Sequence, residues 1–334
     1  MIKRILYTLL IMFPVLASAQ INTDRVMAIG RNALYFEDYV LSIQYFNQVI
    51  NAKPYLSDPY FYRGLAKINL DDFQGAESDC SEAIERNPFV VSAYQVRGLA
   101  RIQQNNFAGA IEDYTKALEF DPENIGVWHN MALCRIKQED YKGAKNDLDK
   151  LIAISPRYTK AYLMRGEVDL KQKDTLAAEK DFGKAIEIDR YDADTWASRA
   201  ILRLQQQRYK DAEADFDHAI RLSTRNSGVY INRALARYHQ NNLRGAMSDY
   251  DIALDIDPNN FIGHYNRGLL RAQVGDDNRA IQDFNFVIEM EPDNMMAIFN
   301  RGLLLDQTGD YKGAIKDYST VINEYPNFLL GYQY

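Results

Sequence analysis

Hydrophobic and small residues recur along this chain at a fixed interval of 34 positions. Within each interval the apolar positions fall three and four apart, the spacing that lines one face of a helix. Counted from Thr23, nine windows tile residues 23–328 without insertion or deletion. Their eighth places hold Gly30, Gly64, Gly98, Ala132, Gly166, Ala200, Ala234, Gly268 and Gly302, and their twentieth places hold Ser42 and then Ala76, Ala110, Ala144, Ala178, Ala212, Ala246, Ala280 and Ala314. Residues this small let two helices approach closely. Large rings accompany them, at the fourth place (Tyr60, Tyr94, Trp128, Tyr162, Trp196, Tyr230) and at the twenty-fourth (Phe46, Tyr114, Phe182, Phe216, Tyr250, Phe284, Tyr318). Rings set among small residues fill the space between paired helices. Pro54, Pro88, Pro122, Pro156, Pro258, Pro292 and Pro326 share the thirty-second place, where a residue without an N–H ends a helix. Each window is therefore predicted to be a helical hairpin turning near its fifteenth place. No single hairpin can bury its own apolar face, so neighbours must stack, with stability spread as near-neighbour terms.

This pattern, in stretches such as YQVRGLARIQQNNFAGAIEDYTKALEFDPEN over 94–124, resembles the tetratricopeptide repeat family across residues 23–328. The resemblance implies an all-α, right-handed superhelical solenoid of helix-turn-helix hairpins whose first helices line a concave groove. It implies a scaffold or adaptor that holds a peptide or a partner protein there. The alternative is a structural subunit that self-associates or stacks end to end in a larger envelope-associated assembly.

The start of the chain reads differently. Lys3 and Arg4 precede an apolar run from Ile5 to Leu16 and a small-residue site, Ala17-Ser18-Ala19, so residues 1–19 are expected to be a secretory signal and the array to occupy 20–334. The run is too short to cross a bilayer about 30 Å thick, so the mature chain is expected to be periplasmic or secreted, with no integral membrane segment. Loss of the two leader cations would take the formal charge from −7 to −9. An acidic chain without a basic tail is a poor fit to nucleic acid, whose binding rests on cations meeting phosphates. Cys80 and Cys134 fall in non-adjacent windows, too far apart for a bridge, and are read as buried free thiols. At the other end, residues 329–334 open a tenth first helix, with Tyr332 at its fourth place, which points to self-association through the C-terminal end or to a longer chain.

No metal-ligand spacing surrounds His129, His218, His239 or His264, and no phosphate-cradling loop or nucleophile elbow is present, so neither enzyme activity nor a cofactor is expected. One charge pattern departs from the family. The seventh place is Arg63, Arg97, Arg165, Arg199, Arg233, Arg267 and Arg301, with Met131 in the fourth window, while the twenty-third is Asp79, Asp113, Asp147, Asp181, Asp215, Asp249, Asp283 and Asp317. On facing helices these places lie at one height, which predicts an Arg–Asp bridge in each of the seven hairpins that carry both residues. The competing reading is a basic stripe for an anionic ligand, reinforced one turn on by Arg101, Arg135, Arg203, Arg237 and Arg271.

In the family, the second, fifth, sixth, ninth, twelfth and thirteenth places line the groove. Carried onto this chain, they give candidate partner-binding residues Asn130, Asn232, Asn266 and Asn300 at the sixth place, Leu235 and Leu269 at the ninth, Tyr265 at the fifth, and His239 and Gln273 at the thirteenth. The Lys/Asn pair of the family's two-carboxylate clamp is missing. Asn232, Asn266 and Asn300 stand one repeat apart, like the asparagine ladder of repeat-bearing glycosyltransferases. Such a column would hydrogen-bond the backbone of an extended peptide; the alternative is an asparagine bonded within its own hairpin. The ninth-place spacing fits a groove and a core face equally.

Overall fold

The computed structural model describes residues 22–324, so the leader and the tenth-helix segment lie outside the described residues. Within them the backbone is helical, without strands, and each window is one hairpin. The chain divides at Ser155 and Pro156 into two compact units. The first holds α1 (Thr23–Tyr35), α2 (Tyr39–Ala52), α3 (Asp58–Ile68), α4 (Phe73–Arg86), α5 (Val91–Gln103), α6 (Phe107–Phe120), α7 (Ile125–Lys137) and α8 (Tyr141–Ile154). The second holds α9 (Thr159–Lys171), α10 (Thr175–Ile188), α11 (Ala193–Gln205), α12 (Tyr209–Leu222), α13 (Ser227–His239), α14 (Leu243–Ile256), α15 (Phe261–Gln273), α16 (Asp277–Met290), α17 (Met295–Gln307) and α18 (Tyr311–Glu324). In each unit every helix packs on the next in sequence, and the first helices α1 and α3, α3 and α5, α5 and α7, α11 and α13, and α15 and α17 also touch, so each unit is a stack of hairpins.

Local chemistry sets the turn. The fifteenth place is left-handed in every hairpin: Glu37, Asp71, Asn105, Glu139, Lys173, Gln207 and Asn241 lie at φ 59–65°, and Gly275 and Gly309 at 79° and 89°. One left-handed residue reverses the chain between two helices. The sixteenth place then starts the second helix. Asp38, Asp72, Asn106, Asp140, Asp174, Asn242 and Asp310 each accept the N–H three residues on, as Asp72 Oδ1 does from Gly75 at 2.9 Å. Arg208 cannot accept, and α12 begins without a side-chain cap.

The eighth-place glycines are small because the twenty-fourth-place side chain occupies the space beside them, a ring at Gly30, Gly98, Gly166, Gly268 and Gly302 and the Cys80 sulfur at Gly64. A Cβ on Gly166 would fall 2.6 Å from the Phe182 ring, and one on Gly98 would fall 2.8 Å from Tyr114. Ala132 is matched by the smaller Leu148, whereas Ala200 and Ala234 share the site with full rings, Phe216 and Tyr250. Cys80 and Cys134 are buried and free, and burial pushes their thiols up to about 12 and about 11.

The fourth-place aromatics have a second task. The Tyr60 and Tyr162 hydroxyls donate to the carbonyls of Pro54 and Pro156, and the Trp128 and Trp196 indoles to those of Pro122 and Arg190. In each case the acceptor lies six residues upstream, so the ring tip pins the link to the preceding hairpin. Tyr162→Phe, which keeps the ring and removes the O–H that donates to the Pro156 carbonyl, is expected to cost about 0.5–1.5 kcal/mol in urea unfolding. An unchanged midpoint would show that the tip contributes nothing.

Candidate functional site

A ladder of charged pairs runs through the hairpins. All seven seventh-place arginines meet the aspartate sixteen residues on: Arg233 donates through Nε to Asp249 Oδ2 at 2.9 Å and through Nη2 to Oδ1 at 2.6 Å. The other six pairs repeat this contact. The aspartates are buried. The remaining Nη1 reaches sixteen residues back into the preceding hairpin, from Arg63 to Asn47, Arg97 to Ser81, Arg233 to Asp217, Arg267 to Asp251 and Arg301 to Asn285. At Arg199 the residue in that position is Gly183, which has no side chain to offer. One planar guanidinium thus ties three helices. The sequence reading missed this third contact; its trace is the run of small polar residues at the twenty-fifth place.

The eleventh-place arginines are also engaged. Arg101 pairs with Glu77 at 2.8 Å and Asp113 at 3.0 Å, Arg203 with Glu179 and Asp215, Arg237 with Glu213 and Asp249, and Arg271 with Asp283. The expectation of a basic stripe for an anionic ligand is therefore corrected: these cations are committed to acids of their own chain.

Two aspartates show how much the ladder matters. Burial tends to raise Asp283, but hydrogen bonds from His264 and Arg267 and the charges of Arg267 and Arg271 outweigh it and hold the carboxyl below its ordinary range. Asp147 faces Met131 instead of an arginine. Its remaining partner, Arg135, has Nε 2.7 Å away but with the N–H not aimed along a hydrogen bond. Burial dominates there and pushes Asp147 up to about 6.

With the ladder turned inward, the first helices carry the remaining candidate residues. The tenth-place residues Ala236 and Leu270 are fully buried, while Leu235 is half-buried and Leu269 is 39 % exposed. The core therefore takes the tenth place and leaves the ninth at the surface. His239 is exposed and stacks on Tyr209, ring centroids 4.6 Å apart, and Gln273 is exposed. Tyr265 is half-buried and joins Phe261, Ile262, Asn294 and Met296 around a cleft of about 260 Å³ between the starts of α15 and α17.

The asparagines are half-buried and do not form a column of equivalent free amides. Asn232 donates to the Gly228 carbonyl in its own helix at 2.9 Å, and Asn300 to the Tyr265 hydroxyl at 3.2 Å. Asn130 lies beside the buried Tyr114 hydroxyl, which has no well-directed hydrogen bond. Asn266 is half-buried in α15. Among the described residues no group of His, Cys, Asp and Glu is placed to hold a metal ion, and no helix is long and apolar enough to cross a membrane.

Comparison with known proteins agrees with this architecture. A family profile described as TPR repeat matches residues 98–138, and profiles described as Tetratricopeptide repeat match 125–158 and 159–192, and 198–261 and 265–327. A tetratricopeptide repeat protein from Parabacteroides merdae is 21% identical, with a TM-score of 0.57, covering 75% of this chain and 98% of that one. PilF of Pseudomonas aeruginosa is 19% identical with a TM-score of 0.57, covering 64% of this chain and 96% of its own. The APC/C hetero-tetramer Cut9–Hcn1 gives 14% identity and a TM-score of 0.57, over 85% of this chain and 56% of that one. At such identities the likeness shows the fold alone. No curated protein sequence matches the chain.

Proposed function

The chain belongs to the tetratricopeptide repeat family, and on that premise we propose that it is an exported scaffold that holds a peptide or partner protein against its first-helix face. The observation that carries this reading is the contrast between the ladder and that face. The arginines bond inward, whereas Leu235, Leu269, Ile262 and Met296 stand at the surface, Ile262 51% and Met296 44% exposed. Adjacent solvent-facing apolar side chains with amides among them fit a binding surface. In this reading the leader is removed, and the protein recovered from the cell envelope is expected to begin at Gln20, as N-terminal sequencing would report.

A second reading, self-association through the last hairpin, is favoured by Tyr311 and Ile315 of α18, which are 64% and 65% exposed. One experiment separates the two. A photo-crosslinking residue at Leu269 is expected to capture a partner of another mass, while the same group at exposed Glu187 on α10 captures little. Adducts of twice the protein's own mass, formed from Tyr311 and not from Leu269, would overturn the scaffold reading in favour of stacking.

A further inference from the structure

The first helices of the last three hairpins differ from an ordinary protein surface in charge. Across the six family groove places of α13, α15 and α17 there is no lysine, arginine or glutamate, and the single acid is Asp306 near the end of α17. This stands out in a chain with 25% charged residues. The nearby cations Arg233, Arg267 and Arg301 do not supply the missing charge, because each is bonded to Asp249, Asp283 or Asp317 and to the helix behind. The face instead presents Ile262, Leu269 and Met296, with the Tyr265 hydroxyl accepting from Asn300.

A charged side chain docked in the cleft at the starts of α15 and α17 would lose water and find no charged side chain in its lining, since Asp306 stands at the other end of α17, a cost that selects against it. An apolar side chain loses nothing there. The cleft between Ile262, Tyr265 and Met296, about 260 Å³, is small beside the roughly 300–1,000 Å³ of small-molecule pockets, so it has the size for one large apolar side chain rather than a metabolite. Resting on the scaffold reading above, we infer that this face takes an uncharged peptide segment, anchored by one large aliphatic or aromatic side chain seated between α15 and α17. Acidic or basic tails are excluded from it.

Panning a random twelve-residue peptide library on the full chain tests this, with the Met296→Glu and Ile262→Glu proteins as counter-screens and folding of both checked by circular dichroism. Enriched peptides are expected to be depleted in Asp, Glu, Lys and Arg, and to carry one conserved large apolar residue. Their affinity should change less than twofold between 50 mM and 500 mM salt. It should fall at least tenfold on either variant, as loss of one buried apolar anchor implies. Charged winners that are lost on both variants would overturn the uncharged class while leaving groove binding intact. Winners indifferent to both variants, or no enrichment at all, would overturn the inference and the peptide-holding reading together.

Discussion

Replacing Asp249 by alanine is expected to destabilise the second unit by about 2–4 kcal/mol, one of the two largest effects anticipated for single substitutions in the ladder. The Asp249 carboxylate is buried and accepts from Arg233 through two nitrogens and from Arg237 through a third. Removing it leaves two guanidinia facing a site built for an anion. The cost is moderated because each arginine keeps another partner, Asp217 for Arg233 and Glu213 for Arg237. Arg233→Met copies what the fourth hairpin already has in Met131 and should cost less. The double variant should fall short of the sum by about 1–3 kcal/mol, since the two side chains share one interaction. Urea unfolding followed by circular dichroism reads all three, and a loss below about 0.5 kcal/mol for Asp249→Ala would mean that the pair is solvated in practice.

Asp147→Asn is expected to do the reverse and stabilise the protein. The folded carboxyl titrates at about 6 because of burial, against an ordinary value of 3.8. The native state therefore holds this proton more tightly than the unfolded chain does, and stability falls as pH rises from about 4 to about 6. Above that range the ionised group is a standing cost of the order of 1–3 kcal/mol. The amide cannot ionise, so the variant should gain that amount at pH 7.5 and almost nothing at pH 4. Asp283 carries the opposite sign. Its folded carboxyl is held below the ordinary range, so its contribution is present above that range and is lost as pH falls through the folded value. An equal gain for Asp147→Asn at both pH values would refute the titration account.

Why some of this was legible in the sequence and some not follows from distance along the chain. The hairpins were readable because the eighth and twenty-fourth places, such as Gly166 and Phe182 or Gly98 and Tyr114, are obliged to meet in every copy, and a meeting repeated nine times leaves a period. The Arg–Asp bridge was readable for the same reason. The link from Arg233 back to Asp217 was not, because it crosses a window boundary and its acceptor varies among Asn, Ser, Asp and a Gly that offers none. The asparagine row shows the limit of column reading. Asn300 reaches a hydroxyl only because the fifth place of the preceding hairpin is Tyr265, while Asn232 turns to its own helix. A clearer signal went unread at the fourth place, where every aromatic is Tyr, Trp or His264 and never Phe, because the ring tip carries a polar N–H or O–H that can donate to the carbonyl six residues upstream.

Every arginine rung of the ladder uses the same forward offset of sixteen residues, and each rearward bond named above uses sixteen back. Such a rule has no absolute origin: it reads the same from any hairpin, as a crystal lattice does from any cell. A genetic deletion of residues 227–260 would bring Arg267 into the place of Arg233, with Asp283 ahead and Asp217 behind, and both bonds would re-form. Deletion of 193–226 would instead set Arg233 against Gly183 and lose the rearward bond. Unequal recombination between copies can thus lengthen or shorten this array without re-inventing an interface, and the acceptor at the twenty-fifth place decides which junctions survive the exchange whole.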